Sequence, residues 1–502
     1  MKFSRRDFLK ASLGSMTYFS MASTVPLWIS KSAQAVGPGL AGDRILVIVQ
    51  QSGGNDGLNT VIPFTDPLYN GGVLRPNLHI VSGLDPTTID GLNAFHPKLV
   101  RLKDWFDEGK VAIVQNVGYP NPDLSHFVAT DFWEFGNSPG SENHSQSGWM
   151  ARFIDNQCAG MPAEDIDPLT MLAARIIQVP GTFHGSPLYT PPAVLDFDFY
   201  KILLPEQGEW GQHIENYIRQ MTNLPVVNPN LDFVQRAANL AQASTDDIAE
   251  ASMVPEINVY PIGQIGEGLG MVSKIIRGGF GTKVFYVSQG GYDTHANQFA
   301  GDDPTNLGDH PRLLDEFDQS LDAFLKDMEA SGNLDRVCIM TFSEFGRRVD
   351  ENGSKGTDHG AGNSLFVMGG RVLGGVYGGQ PNLSDLIIGN LKHSVDFRSV
   401  YSRILLDWFN VDPEPIFGAT DYNDPILNIQ GGVAQIPIFK AVGDVNGDGV
   451  VNAQDIQKVV NSAIGIENDP LTDLNNDGRT NAADVQLVIN AAVAKRKRIS
   501  AW

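Results

Sequence analysis

Five short runs of this chain are apolar without alternation: Ile45 to Val49, Val111 to Val114, Val284 to Val287, Val337 to Thr341 and Leu365 to Met368. A strand with one wet face alternates apolar and polar residues, so uniformly apolar runs of strand length belong in a sheet covered on both faces. Helical patterns lie between them. "HPKLVRLKDWFDEGK" is one, and "RLLDEFDQSLDAFLKDMEASGN" places Leu314, Phe317, Leu321, Phe324, Leu325 and Met328 on one stripe. "DFRSVYSRILLDWF" repeats through Phe397, Val400, Tyr401, Ile404, Leu405 and Trp408. Strands alternating with such helices predict an α/β domain with a mainly parallel sheet. Residues 180–262, rich in Pro and Asn, are expected to be an insertion with helices of its own.

The chain has 502 residues, 42% of them hydrophobic and 19% charged, enough for one large core and a smaller second domain. Its first 35 residues have a basic start, an apolar middle diluted by Ser, Thr and Gly, and a small-residue end at Ala33-Gln34-Ala35, as targeting segments do. Ser4-Arg5-Arg6-Asp7-Phe8-Leu9-Lys10 resembles a twin-arginine export signal, which implies a periplasmic, extracellular or cell-surface location. The middle is too polar for a stable membrane span. The net charge of −22 becomes −26 without this segment, which speaks against a nucleic-acid partner and suits an exported, cation-holding protein. The two cysteines, Cys158 and Cys338, are too few for a disulfide scaffold, and Cys338 sits in an apolar run that predicts a buried thiol.

In a sheet of this kind ligands bind beyond the carboxyl ends of the strands. The first run leads to "QQSGGNDGLN" with Asp56, and the second to "QNVGYPNPDLSHF" with Ser125 and His126. The third leads to "SQGGYDTHANQ" with Asp293 and His295, and the fourth to "SEFGRRVDENGSKGTDHG" with Glu344, Arg347, Asp358 and His359. Four strands thus deliver ligand-type or nucleophile-type side chains to one edge.

Each piece has a structural reading beside the chemical one. Glycines in "SGGND" suit a tight turn and Asp56 a cap; Ser125 suits a helix N-cap with His126 packed behind it. Asp293 and His295, an acid and an imidazole two residues apart, can ligate one cation together. Glu344, entering a buried edge, needs a cation or an arginine. Arg347 and Arg348 would meet that need, or hold a substrate anion through the guanidinium fork. Together the residues describe hydrolysis of an anionic ester, with Ser125, His126 and Arg347 catalytic and Asp56, Asp293, His295, Glu344, Asp358 and His359 as metal ligands. The oxygen and imidazole mixture fits Zn2+, Mn2+ or Ca2+.

"LVIVQQSGGNDGLNTVIP", "LSHF", "GYDTHANQ" and "MTFSEFGRRVDENGSKGTDHG" resemble the signature blocks of the DUF1501 family, over residues 43–430. That family is remotely similar to the alkaline phosphatase and sulfatase superfamily, which implies a three-layer α/β/α sandwich with a metal site at the strand ends. Asp56, Ser125, Asp293 with His295, Glu344 and His359 follow the superfamily's order of functional residues. Phe345 stands where the superfamily supplies a histidine, which implies an altered metal position.

Two further segments, "DVNGDGVVNAQD" (444–455) and "DLNNDGRTNAAD" (473–484), fit a calcium loop, with oxygen side chains at positions 1, 3, 5 and 12 and glycine at position 6. The expected Ca2+ ligands are Asp444, Asn446, Asp448, the Val450 carbonyl and Asp455, then Asp473, Asn475, Asp477, the Arg479 carbonyl and Asp484. Each loop feeds a short amphipathic helix. The unit resembles a type I dockerin over residues 443–493, which implies a small all-α module, a cohesin-like partner and an association with polysaccharide catabolism.

The expected organisation is a signal peptide (1–35), the α/β domain (43–430), a linker (431–442), the calcium module (443–493) and a basic tail (494–502). The residues leave two functions open: a metal-dependent hydrolase of a phosphate or sulfate ester, its substrate a small molecule or a glycan ester, and a non-catalytic assembly or binding protein attached through its calcium module.

Overall fold

The computed structural model describes residues 43–499 except 82, 138, 140–144, 163–165, 201–208, 223, 226–228, 302, 426, 441–442, 447–450, 468, 470–471 and 475–478. The expected signal peptide therefore lies outside the described residues, as do Asp448, Val450, Asn475 and Asp477.

Nine strands form one sheet: β1 (Ile45–Gln51), β2 (Val111–Gly118), β3 (Met171–Ala174), β4 (Ala193–Val194), β5 (Val284–Gln289), β6 (Val337–Phe342), β7 (Asn363–Met368), β8 (Gly375–Tyr377) and β9 (Val395–Asp396). Their order is β8-β2-β7-β6-β1-β5-β3-β4, and β9 also pairs with β2. Every pairing is parallel except those of β7, which runs antiparallel to β2 and β6. All five apolar runs are strands of this sheet, β1, β5 and β6 at its centre.

Both faces are covered. Leu46, Ile48, Val114, Tyr286, Met340 and Val367 point into one apolar cluster, where Trp133 and Trp149 stack on Phe397 and Tyr401 at 4.4 and 4.3 Å. These aromatics come from α2 (His126–Phe135), α3 (Trp149–Gln157) and α8 (Phe397–Arg403). Ile45, Val47, Val49, Phe285, Ile339 and Phe366 point into the other cluster. It is covered by α1 (Val100–Asp107), α6 (Gln264–Gly278) and α7 (Asp309–Ala330). The result is a three-layer α/β/α sandwich. The insertion holds α4 (Glu209–Thr222) and α5 (Pro229–Ser252). Cys158 and Cys338 are both buried and free. Among the described residues no helix is long and apolar enough to cross a membrane.

The expected linker is a correction. Helix α9 (Ile429–Gln435) and the segment after it belong to the sandwich, because Ile436, Ile438 and Phe439 are buried in the first cluster. Phe439 stacks on Trp408, and the Lys440 N–H donates to the Arg371 carbonyl. The apolar "IPIF" has a core position to fill, so the body of the main domain continues to Lys440.

Beyond it, α10 (Ala453–Ala463) and α11 (Ala482–Ile499) pack around Val445, Val451, Val459, Leu474 and Val488. Helix α11 carries on into what was expected to be a separate tail. The closing acids of the two loops are fully buried and play matching parts. Asp455 accepts from the N–H groups of Val445, Asn446 and Asn452, and Asp484 from those of Leu474 and Asn481. Each carboxylate thus ties the start of its loop to the helix that follows.

Candidate metal centre

The carboxyl ends of β1, β2, β5 and β6 meet at one edge of the sheet, together with the start of the reversed strand β7. The loop after β1 lies hard against its neighbours: a Cβ on Gly53 would stand 2.3 Å from the Asp293 nitrogen, and one on Gly54 2.4 Å from the Phe345 ring. Both glycines have positive φ, 123° and 83°. Close approach and backbone conformation together require glycine here. A short ribbon pairs Gly346–Arg347 with His359–Gly360, so the charged segment after β6 folds back and sets His359 beside Arg347.

Three imidazoles converge on Asp293. The Nε2 atoms of His295 and His359 lie 2.8 Å apart, and each is close to Asp293 Oδ1, at 3.2 and 3.1 Å. His126 Nε2 lies 3.4 Å from Asp293 Oδ2. The opposite ring nitrogens all face acceptors: His126 Nδ1 meets Glu344 Oε1 at 2.8 Å, His295 Nδ1 meets Asp358 Oδ1 at 3.1 Å, and His359 Nδ1 meets the Leu124 carbonyl at 2.8 Å. A carboxylate or carbonyl can only accept, so each Nδ1 carries a proton, and each ring turns its Nε2 towards Asp293.

The charge states match that geometry. Burial pushes the Asp293 carboxyl upwards, but the hydrogen bond and charge of Arg347 and the neighbouring imidazoles outweigh it and hold the pKa at about 2. At His359 burial is the largest influence and lowers the imidazole below its ordinary value. An ionised carboxylate and neutral imidazoles are the forms a metal ligand requires. A cation with bonds of about 2.0–2.1 Å to nitrogen or oxygen sets neighbouring ligand atoms roughly 3.0–3.4 Å apart, and the contacts above span 2.8–3.4 Å. His126, Asp293 and His359 offer ligand atoms that all lie within 4.8 Å of one another. The residues fit a metal ion.

The remaining site residues take other places. Glu344, expected as a ligand, is buried and holds the His126 ring while accepting from the Gly53 N–H at 2.8 Å. Asp358 holds the His295 ring, and its hydrogen bond from Asn352, with the one from His295, keeps its carboxyl below the usual range. Phe345 is the wall against which the His126 and His359 rings pack, at 4.9 and 4.4 Å.

Two further expectations are corrected. Asp56 is not turned to the imidazoles: its Oδ2 accepts from Arg75 at 2.6 Å and from Gln298 at 2.5 Å, and its Oδ1 caps the short helix Gly57–Thr60. Burial would raise this carboxyl, and the Arg75 charge and hydrogen bond lower it below its ordinary value. Arg347 does not face a substrate anion. Its buried guanidinium donates to the carbonyls of Gly53, Gly54, Tyr292 and Thr357 and to Asp293, so that all three nitrogens are engaged in joining three loops. Ser125 is at the N-cap of α2 and exposed, one residue before His126, with no side-chain capping bond.

Arg75 is the residue that sequence reasoning missed. It also donates to Asn59 and to the Arg348 and Val349 carbonyls, clamping the β1 loop to the charged segment. It lies in an irregular stretch with no periodic pattern to mark it as buried.

Residues 271–406 match the family profile described as protein of unknown function, DUF1501. Residues 442–492 match the dockerin type I domain, a module that typically binds Ca2+. The DUF1501 match is narrower than the resemblance drawn from the signature blocks and contains Asp293, His295 and His359 but not His126. No curated protein matches the chain. Among solved structures, a protein in the alkaline phosphatase superfamily from Vibrio parahaemolyticus is similar at 10% identity, covering 83% of this chain and 78% of that one, with a TM-score of 0.31. A phosphonate monoester hydrolase from Silicibacter pomeroyi is similar at 8% identity, covering 67% and 69%, with a TM-score of 0.26.

Proposed function

We propose that this chain is an exported metal-dependent hydrolase acting on a phosphate or sulfate ester, held to a cohesin-bearing partner by its calcium-folded dockerin module. The observation that carries the first half is the convergence of three Nε2 atoms on the Asp293 carboxylate at the strand ends. His126, His295, His359 and Asp293 would hold Zn2+ or Mn2+, with Ca2+ less suited to three nitrogen ligands. A bound divalent cation supplies charge to polarise an ester oxygen.

The chain's own residues do the rest. Glu344, Asp358 and the Leu124 carbonyl fix the three rings, Arg347 fixes Asp293, and Phe345 closes the wall behind the imidazoles. The exposed Ser125 hydroxyl, at the N-terminus of α2 where backbone N–H groups favour negative charge, is the proposed nucleophile. Full-length protein assayed with aryl phosphate, phosphonate and sulfate esters under Zn2+, Mn2+ and Ca2+ tests this. Turnover that His359→Ala abolishes and Ser125→Ala reduces at least a hundredfold supports it; no turnover with any metal contradicts it.

One observation favours the second reading, a non-catalytic binding or assembly protein. The guanidinium expected to hold an anion is buried and bonded through all three nitrogens to protein acceptors. That reading keeps the metal centre and the dockerin module but predicts no turnover, alongside calcium-dependent capture by a purified type I cohesin.

A further inference from the structure

We propose that the main domain holds a single divalent cation, with the guanidinium of Arg75 occupying, at Asp56, the electrostatic place of a second. The proposal rests on the metal-centre reading above and adds the number of ions.

A second ion needs ligand atoms of its own. Seven side chains at this edge were candidates by residue type, and two of the three acids besides Asp293 are held inside the protein. Asp56 is enclosed by Arg75, Gln298 and the Asn59 N–H, and its side chain is only 1% exposed. Glu344, equally buried, accepts through Oε1 from the Gly53 N–H and from His126. Asp358 is more open, but the same Oδ1 receives both His295 and Asn352. What remains is the Nε2 atoms of His126, His295 and His359 around the Asp293 carboxylate, of which His126, Asp293 and His359 lie close enough together for one ion.

Charge points the same way. A dication beside Asp56 would meet the Arg75 guanidinium at hydrogen-bond distance, with Arg347 buried in the neighbouring loop contact. Like charges in a buried site repel strongly because little water screens them. Arg75 is also fixed by three further acceptors, Asn59 and the carbonyls of Arg348 and Val349, so it cannot swing away without unpairing buried groups.

The test is the zinc content of the full chain. Metal-free protein is loaded with Zn2+ in the presence of Ca2+, which fills the dockerin loops, then freed of loose metal and counted by mass spectrometry. One zinc per chain, lost in His359→Ala, is expected. Two zinc ions per chain overturn the proposal, whereas none overturns the metal-centre reading beneath it, so the two failures are distinct. Asp56→Asn is expected to leave zinc affinity within about threefold, against a loss of about a hundredfold or more for Asp293→Asn. An equal loss in both variants overturns the proposal. Should Asp56→Asn fail to fold, Arg75→Lys, which keeps the charge, is expected to retain one zinc, and the wild-type count decides alone.

Discussion

His295 and His359 bring their Nε2 atoms to 2.8 Å of each other, although each ring gives its proton to an acceptor on the opposite side. Two lone pairs at that distance repel unless a cation or an added proton lies between them. The outer partners therefore matter to binding: Glu344→Gln and Asp358→Asn should each weaken zinc affinity by about 10–100-fold. His295→Ala should weaken it further. Competition against a zinc indicator measures this, and unchanged affinity in both carboxamide variants would contradict the assigned ring orientations.

The Arg75–Asp56 pair, with both side chains 1% exposed, should be costly to break. Removing one partner strands a buried charge, so Arg75→Met should lower stability by about 3–5 kcal/mol. Replacing both residues with apolar ones should cost less than Arg75→Met alone. Denaturant unfolding of the three chains checks the order.

Much of this arrangement was legible in the sequence and some was not. The unbroken apolar runs mark strands buried on both faces, so the sheet and the edge carrying Asp293, His295 and His359 follow from local pattern. The short strands β3, β4, β8 and β9 do not, because two to four residues carry no period. Whether a given acid becomes a ligand depends on which cation reaches it first. Asp56 and Arg347 were misassigned because their partners, Arg75 and the carbonyls of Gly53 and Gly54, come from distant segments brought near only by the fold.

Glu134, on α2, supplies a pH dependence. Burial, aided by the charges of Asp131 and Glu344, raises its carboxyl to about 7, against hydrogen bonds from Tyr286 and Gly181. The folded state then binds more protons than the unfolded state from the ordinary glutamate value up to about 7, so stability falls as pH rises through that window and levels off above it. The loss should be on the order of 2–3 kcal/mol. Glu134→Gln should remove this slope, because an amide can still accept from Gly181 and donate to Tyr286. Unfolding titrations between pH 4.5 and 8 would show it.

The C-terminal module should depend on calcium for its fold, since its small core around Val459 and Val488 is organised by loops closed on Asp455 and Asp484. Chelator should unfold α10 and α11 while leaving the sandwich intact, and Asp455→Ala should do the same at saturating Ca2+. Helical circular dichroism, or proteolysis beyond Lys440, reports the change. A module equally folded in chelator would contradict the assignment.

The central claim is the position of the metal. Anomalous diffraction at the zinc edge from crystals of the zinc-loaded chain should show one peak in the main domain, enclosed by Nε2 of His126, His295 and His359 and by the Asp293 carboxylate. A peak at Asp56, or none at the imidazoles, would contradict the account.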